Sequence, residues 1–83
     1  LRSLEVAAFP NPANDQFSLI VNTPADPLRT QVRLLNADGA EVWTKVFEGP
    51  VNEQVDVSRL SKGGYILHVR CGNENRFQRI VVQ

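Results

Sequence analysis

The sequence contains few side chains suited to acid–base or nucleophilic chemistry. There is one histidine, His68, and one cysteine, Cys71. A nucleophile needs a base within hydrogen-bond reach and a third group that orients the base, and the sequence points to no such set. His68 alternates with apolar residues of a predicted strand, so we expect it to face solvent or a partner. Cys71 reads as a small strand residue that has no second cysteine to pair with. We therefore predict no catalytic residue.

Three short segments resemble ligand-binding loops only in part. Residues 36–39, Asn-Ala-Asp-Gly, look like the start of a calcium loop but lack its downstream glutamate. Asn14 and Asp15 would need a second loop to hold an ion. Gly63 and Gly64 form a lone pair before a strand, and a phosphate-binding loop needs more glycines than that. We predict no metal, no cofactor and no small-molecule substrate.

Length and charge limit the remaining functions. The 83 residues predict one domain, which buries only about 60–65% of its unfolded surface and leaves little room for a deep pocket. Nine basic and nine acidic side chains cancel, which argues against nucleic-acid binding. Arg70, Arg76 and Arg79 cluster locally, and we interpret them as a solvated sheet face. The sequence has no membrane span or signal peptide, and its start at Leu1 suggests a piece of a longer protein.

Apolar residues recur at every second position through most of the chain, which predicts strands with one buried face. The predicted strands cover residues 1–9, 16–22, 30–36, 41–48, 52–57, 65–71 and 76–82. Asp38-Gly39 predicts a hairpin with a type I′ turn. The buried face of the fourth strand stays open, and the mixed pattern around Phe77 predicts a bulge near Gln78.

The stretch from Asp56 to Val69 predicts a turn that enters a central strand in a fixed register. Asp56 is a turn former, and Leu60 is apolar within the turn, so we expect it to pack onto the core. Gly63 and Gly64 allow backbone conformations that other residues avoid. Tyr65, Leu67 and Val69 would face the core.

Seven short strands with frequent turns and no helical period predict an all-β fold, an immunoglobulin-like antiparallel β-sandwich without a disulfide. We assign residues 1–8 to a linker or first strand and residues 9–83 to the domain. An exposed edge strand predicts binding by strand addition. It also predicts a homodimer formed by edge pairing or strand exchange at high concentration.

Four stretches, in order and spacing, resemble the type A C-terminal sorting domain of the type IX (Por) secretion system. Residues 9–15 are similar to its aromatic-Pro-Asn-Pro opening, and residues 36–42 to its middle hairpin. Residues 55–69 resemble its later turn-and-strand motif, and residues 76–83 its terminal strand. The family often ends in lysine, whereas this sequence ends in Gln83.

The resemblance implies an address label on cargo proteins of Bacteroidetes-type bacteria, exported through the periplasm to the cell surface or medium. It implies two partners: an outer-membrane translocon, and a surface sortase that usually cuts upstream of Phe9 and joins the cargo to lipopolysaccharide. The recognition or structural residues that it implies are Pro10, Asn11, Pro12, Asp15, Asp38, Gly39, Asp56, Leu60, Gly63, Gly64, Tyr65, Val69, Arg79, Ile80, Val81, Val82 and Gln83.

Two other functions fit the same pattern. One is a carbohydrate- or protein-binding sandwich appended to a secreted hydrolase, with Trp43 and Phe47 as a small aromatic platform. The other is a docking domain that a secretion-machinery component keeps uncleaved. Neither is an enzyme.

Overall fold

The computed structural model describes residues 4–23 and 29–83, and it confirms the predicted all-β fold. The predicted loop over residues 23–27 and the first three residues of the first predicted strand lie largely outside this range. Within the described residues, the seven strands match the predicted ones to within two residues. They are β1 (Glu5–Phe9), β2 (Gln16–Asn22), β3 (Arg29–Leu35), β4 (Glu41–Glu48), β5 (Val51–Asp56), β6 (Gly63–Cys71) and β7 (Glu74–Val82).

The strands form two antiparallel sheets that pack face to face, in the orders β1-β2-β5 and β4-β3-β6-β7. The period-2 residues of the strands other than β4 supply one continuous core, as predicted. Its largest buried side chains are Phe17, Leu4, Leu19, Leu34, Leu67 and Ile80. Cys71 is buried and has no disulfide partner. The immunoglobulin-like sandwich is therefore confirmed.

The hairpin between β3 and β4 is present, but its predicted type I′ turn is wrong. Gly39 has a φ of +84°, whereas no non-glycine residue in the described part of the chain has a positive φ. The Gly39 amide donates to the Asn36 carbonyl at 2.9 Å, and the Asn36 side chain accepts from the amides of Asp38 and Ala40. These bonds define a type I turn that is followed by a left-handed glycine. Asn36 stabilises this turn, which removes the need for a positive φ at Asp38.

The bulge occurs in β4 rather than near Gln78. The β6–β7 register runs without a break from Gly63↔Val82 to Cys71↔Glu74, whereas the β3–β4 register shifts between Leu34 and Leu35. Continuous pairing places Ile80 and Val82 in the core and leaves Phe77 on the outer face. The mixed apolar pattern of β7 therefore reflects an exposed aromatic residue on a regular strand.

The faces of β4, which the sequence left open, are now assigned. Trp43 and Phe47 are half-buried and pack against the core, whereas Val42 and Val46 are exposed. The aromatic platform proposed for carbohydrate binding is therefore directed inward.

β1 belongs to the sandwich, because it pairs with β2 from Glu5↔Asn22 to Phe9↔Ser18 and Leu4 is buried before it. The domain boundary after residue 8 stays a prediction. Within the described residues, no helix is long and apolar enough to cross a membrane.

Candidate recognition surface

Three turns and the end of β7 meet at one end of the sandwich, which we call the motif end. It comprises residues 10–15, 36–40, 57–62 and 82–83. Strand pairing brings them together, because Phe9 lies opposite Ser18, Gln16 opposite Asp56, and Gly63 opposite Val82. Leu35 lies opposite Ile66, which places the β3–β4 hairpin at the same end. Four stretches that are far apart in the sequence therefore share one surface.

Asn11 fastens the last strand to the first turn. Its side-chain amide donates to the Arg79 carbonyl at 2.7 Å, and its side-chain oxygen accepts from the Val81 amide at 3.0 Å. An asparagine side chain carries both a donor and an acceptor, so it can pair with a strand edge as another peptide group would. Nothing in the local sequence pattern predicted this role.

Ala13 continues the same contact through its backbone. Its amide donates to the Val81 carbonyl at 2.7 Å and its carbonyl accepts from the Gln83 amide at 2.8 Å, which forms a short parallel bridge to Val82. Residues 11–13 therefore occupy the outer edge of β7 near its end. A longer side chain than alanine would not fit, because Ala13 has no exposed surface. Pro10 and Pro12 are exposed and flank Asn11 with cis peptide bonds.

The β5–β6 turn is tied to the same corner by backbone bonds. The Val57 amide donates to the Asp15 carbonyl at 2.9 Å, and the Leu60 amide donates to the Val57 carbonyl at 3.0 Å. Leu60 is half-buried against the core, as predicted. Asp15 therefore acts through its backbone carbonyl, while its side chain is exposed.

Asp56 caps this turn in the way that the sequence predicted. One carboxylate oxygen accepts from the Ser58 amide at 2.9 Å and from the Ser58 hydroxyl at 2.6 Å. The bond from the Ser58 hydroxyl has the larger effect and the bond from the Ser58 amide the smaller, and together they lower the pKa of the exposed Asp56 below its usual 3.8. The ionised form of Asp56 therefore stabilises the turn.

Of the adjacent Gly63 and Gly64, only Gly63 has a backbone conformation that requires glycine. Its φ is +146°, whereas Gly64 has an ordinary φ, and a Cβ there would meet only the Arg79 guanidinium at 3.7 Å. The sequence-based expectation that Gly64 has a glycine-only conformation is therefore wrong. Beyond the pair, Tyr65 is buried and donates its hydroxyl hydrogen to the Ser61 carbonyl at 2.6 Å. Its ring and Leu60 anchor the turn onto the core.

An open depression of about 340 Å³ lies between the hairpin and the β5–β6 turn. Asn36 and Asp38 line one side, and Arg59, Lys62 and Gly64 line the other. Its charges are mixed, and Tyr65 also lines it. Such a surface suits contact with another protein rather than the enclosure of a small molecule.

The predicted recognition residues differ in burial. Leu60, Gly64 and Val81 are half-buried, and Gly39 and Gly63 are exposed glycines. Ile80, Val82, Tyr65 and Val69 are core residues, so a partner contacts them only through their backbone or after rearrangement. Those with exposed side chains are Pro10, Asn11, Pro12, Asp15, Asp38, Asp56, Arg79 and Gln83. Phe9, which was not among the predicted recognition residues, is also exposed next to this region, with 53% of its surface accessible.

The sequence predicted that His68 faces solvent or a partner. Its side chain is directed away from the core as predicted, but it is only 8% exposed. It lies on the outer face of the four-stranded sheet, where the Phe77 ring stacks on the imidazole. The two ring centroids are 4.5 Å apart, and the interplanar angle is 7°. Arg33 donates to Nδ1 at 3.0 Å, so Nε2 carries the proton and donates to Asn75 Oδ1 at 2.8 Å. Both nitrogens are occupied in a structural network. In the described part of the chain, no three His, Cys, Asp or Glu residues are grouped for metal binding.

Comparison with known families and structures gives this surface its context. The family described as "Secretion system C-terminal sorting domain" matches residues 7–83. Because this match spans nearly the whole sequence, the chain belongs to that family. The domain is thus a type IX C-terminal sorting signal, which marks its protein for export to the cell surface or the extracellular medium.

A solved structure shares the fold. The crystal structure of dimeric latent PorU from Porphyromonas gingivalis matches with a TM-score of 0.74 and 17% sequence identity. The match covers 95% of this chain and 9% of the PorU chain. Among curated proteins, no sequence relative matches.

Proposed function

We propose that this domain is an address label with no catalytic activity of its own, which the outer-membrane translocon reads at the motif end. The supporting observation is the convergence of four separate stretches on one surface, with Asn11 and Ala13 bonded to the last strand. Binding of a partner at this end would depend on the final strand being folded, because residues 11–13 and β7 are hydrogen-bonded to each other.

The position of the first described residue favours this arrangement. The Leu4 amide donates to the Glu74 carboxylate at 2.8 Å, and Glu74 lies at the β6–β7 turn, opposite the motif end. A cargo that precedes Leu4 would therefore leave the domain at its far end. The motif end stays accessible while the cargo is attached.

Burial also bears on where a surface sortase would cut. Leu4 is 2% exposed and β1 is fully paired with β2, whereas a protease needs an extended, accessible segment. We place the cut upstream of Leu4. The freed cargo would then be joined to lipopolysaccharide, as the family resemblance implies.

A retained docking domain is the second candidate. A region with this fold is present in the crystal structure of latent PorU, and a domain that its parent protein likewise keeps would act by docking rather than by being removed. Mass spectrometry of the mature parent separates the two cases. An intact C-terminus favours docking, and loss of the domain near residue 4 favours processing.

The test of the motif end is an export assay with charge variants. The variant Arg59→Glu with Lys62→Glu reverses two exposed charges that line the depression. The control Glu5→Lys with Glu48→Lys reverses two exposed charges far from the motif end. Each is fused to a periplasm-directed fluorescent reporter in a type IX-competent host, and each purified domain is melted to check folding. We expect the control to be exported and the motif-end variant to stay in the periplasm. Export of both folded variants at the wild-type level would overturn this assignment.

A further inference from the structure

The outer face of the four-stranded sheet carries a feature that the motif end does not explain. Its β6–β7 half presents the outward residues of those two strands: Gly64, Ile66, His68, Arg70, Asn75, Phe77, Arg79 and Val81. We infer that this half-face, centred on Phe77, is a second docking surface for a protein partner that presents an apolar pocket rimmed by carboxylates. The inference rests on the proposed sorting function, because such a partner would meet the domain during export.

The first observation is exposed apolar surface. Phe77 is 66% exposed and Ile66 38%, and both lie on this half-face. A polar residue at position 77 would not disturb the core, because the side chain there is directed outward. An exposed aromatic residue on a regular strand is a typical anchor at protein interfaces.

The second observation is that the Phe77 ring is already held in place. It stacks on His68, and His68 is fixed by hydrogen bonds from Arg33 on one side and to Asn75 on the other. Arg33 in turn lies 3.9 Å from the Glu41 carboxylate. A ring held this way loses little conformational freedom on binding, so more of its contact energy contributes to affinity.

The third observation is charge. Arg79 follows Phe77 by two residues on the same face, and Arg70 lies opposite Asn75 on the neighbouring strand. This half-face has no acidic side chain, because Glu41 and Glu48 lie on β4 at the far side of the sheet. The outer face of the β1-β2-β5 sheet is different, since its outward charged residues are Glu5 and Asp56. Complementarity therefore favours an acidic partner.

The fourth observation is size. The principal extents of the molecule are 37, 22 and 16 Å, so a partner centred on Phe77 reaches the area of a standard interface, about 800 Å² on each partner, by extending from this half-face over the rest of the broad outer face. The apolar residues interleave with the arginines on this face. This mixture favours a protein surface over a simple polyanion, which needs only the positive charges.

Two variants test the surface, so that the test still works if one of them does not fold. Phe77→Ser removes the anchor, and Arg70→Glu reverses a flanking charge while leaving the Phe77–His68 stack intact. The control Ile20→Ser with Glu5→Lys removes an apolar side chain and reverses a charge on the outer face of the opposite sheet. All are fused to the exported reporter and melted as purified domains. Loss of a central anchor typically weakens binding by about thirtyfold or more, so we expect at least a severalfold loss of export for both face variants and wild-type export for the control.

A photo-crosslinking residue at position 77, with position 20 as the control, identifies the occupant in the same host. The inference is supported by a crosslink to a protein other than this chain that forms at position 77, is absent at position 20 and is lost with Arg70→Glu. A crosslink to polysaccharide or to a second copy of this chain overturns the stated occupant. Wild-type export of folded face variants overturns the surface itself. If the wild-type fusion already stays in the periplasm, the sorting function fails first, and this inference fails with it.

Discussion

Asn11→Ala is the substitution that most directly probes how the corner of the motif end holds the last strand. It removes the donor to the Arg79 carbonyl and the acceptor for the Val81 amide and leaves the backbone bonds of Ala13 in place. Each hydrogen bond contributes a net of about 0.5–1.5 kcal/mol. Because Asn11 is exposed, water replaces part of this loss, and we expect destabilisation of about 1–2 kcal/mol in total.

For a domain of this size, about 1 kcal/mol shifts Tm by roughly 4–8 °C, so Asn11→Ala should lower Tm by about 5–15 °C. Differential scanning calorimetry measures this shift. Hydrogen exchange at the Val81 amide should accelerate more than exchange in β2, because the lost bond belongs to the β7 edge. The control is Asn14→Ala, since Asn14 is exposed and its side chain makes no hydrogen bond to the described residues. An Asn11→Ala domain that melts within about 1 °C of wild type, or an equal loss in Asn14→Ala, would refute the reasoning.

Four further outcomes follow from the contacts described. Gly63→Ala should destabilise the domain by about 1–3 kcal/mol and Gly64→Ala by much less, because only Gly63 has a positive φ; equal melting temperatures would contradict this. The lowered pKa of Asp56 means that its contribution to stability is present above its unfolded pKa and is lost as pH falls through the folded value. Acid melts of Ser58→Ala should therefore show a smaller loss below about pH 4 than wild type, and identical acid profiles would count against the cap. His68→Ala should cost about 1–3 kcal/mol and make the Phe77 ring mobile by NMR, so an unchanged ring signal would argue against the stack. Lys45→Val should raise dimer formation in sedimentation experiments, because it removes the charge that links the β4 edge to Glu53 at 2.7 Å; a variant that stays monomeric at millimolar concentration would weaken the predicted edge pairing.

The strands and their core faces could be predicted from the sequence, because a period of two is a local signal that needs no knowledge of distant partners. Phe17, Leu19 and Val21 in β2 and Leu67 and Val69 in β6 illustrate this. Turn residues could also be predicted, because the hydrogen bonds of Asp56 and Leu60 join residues only two or three positions apart.

The contacts that join distant segments could not be predicted in this way. Asn11 bonds to residues about seventy positions away, and no local pattern encodes such a partner. His68 lies at an outward position, and its burial depends on Phe77, Asn75 and Arg33 from neighbouring strands. Adjacent glycines look alike in sequence, so only backbone geometry separates Gly63 from Gly64.

The most direct test of the sorting function compares export of one fusion in two hosts. Residues 1–83 are joined to a periplasm-directed fluorescent reporter and expressed in a type IX-competent strain and in the same strain without a functional translocon. The sorting function predicts reporter at the surface or in the medium of the competent strain only, with the fusion confined to the periplasm in the other. Confinement to the periplasm of both strains, with the domain folded, would contradict the account.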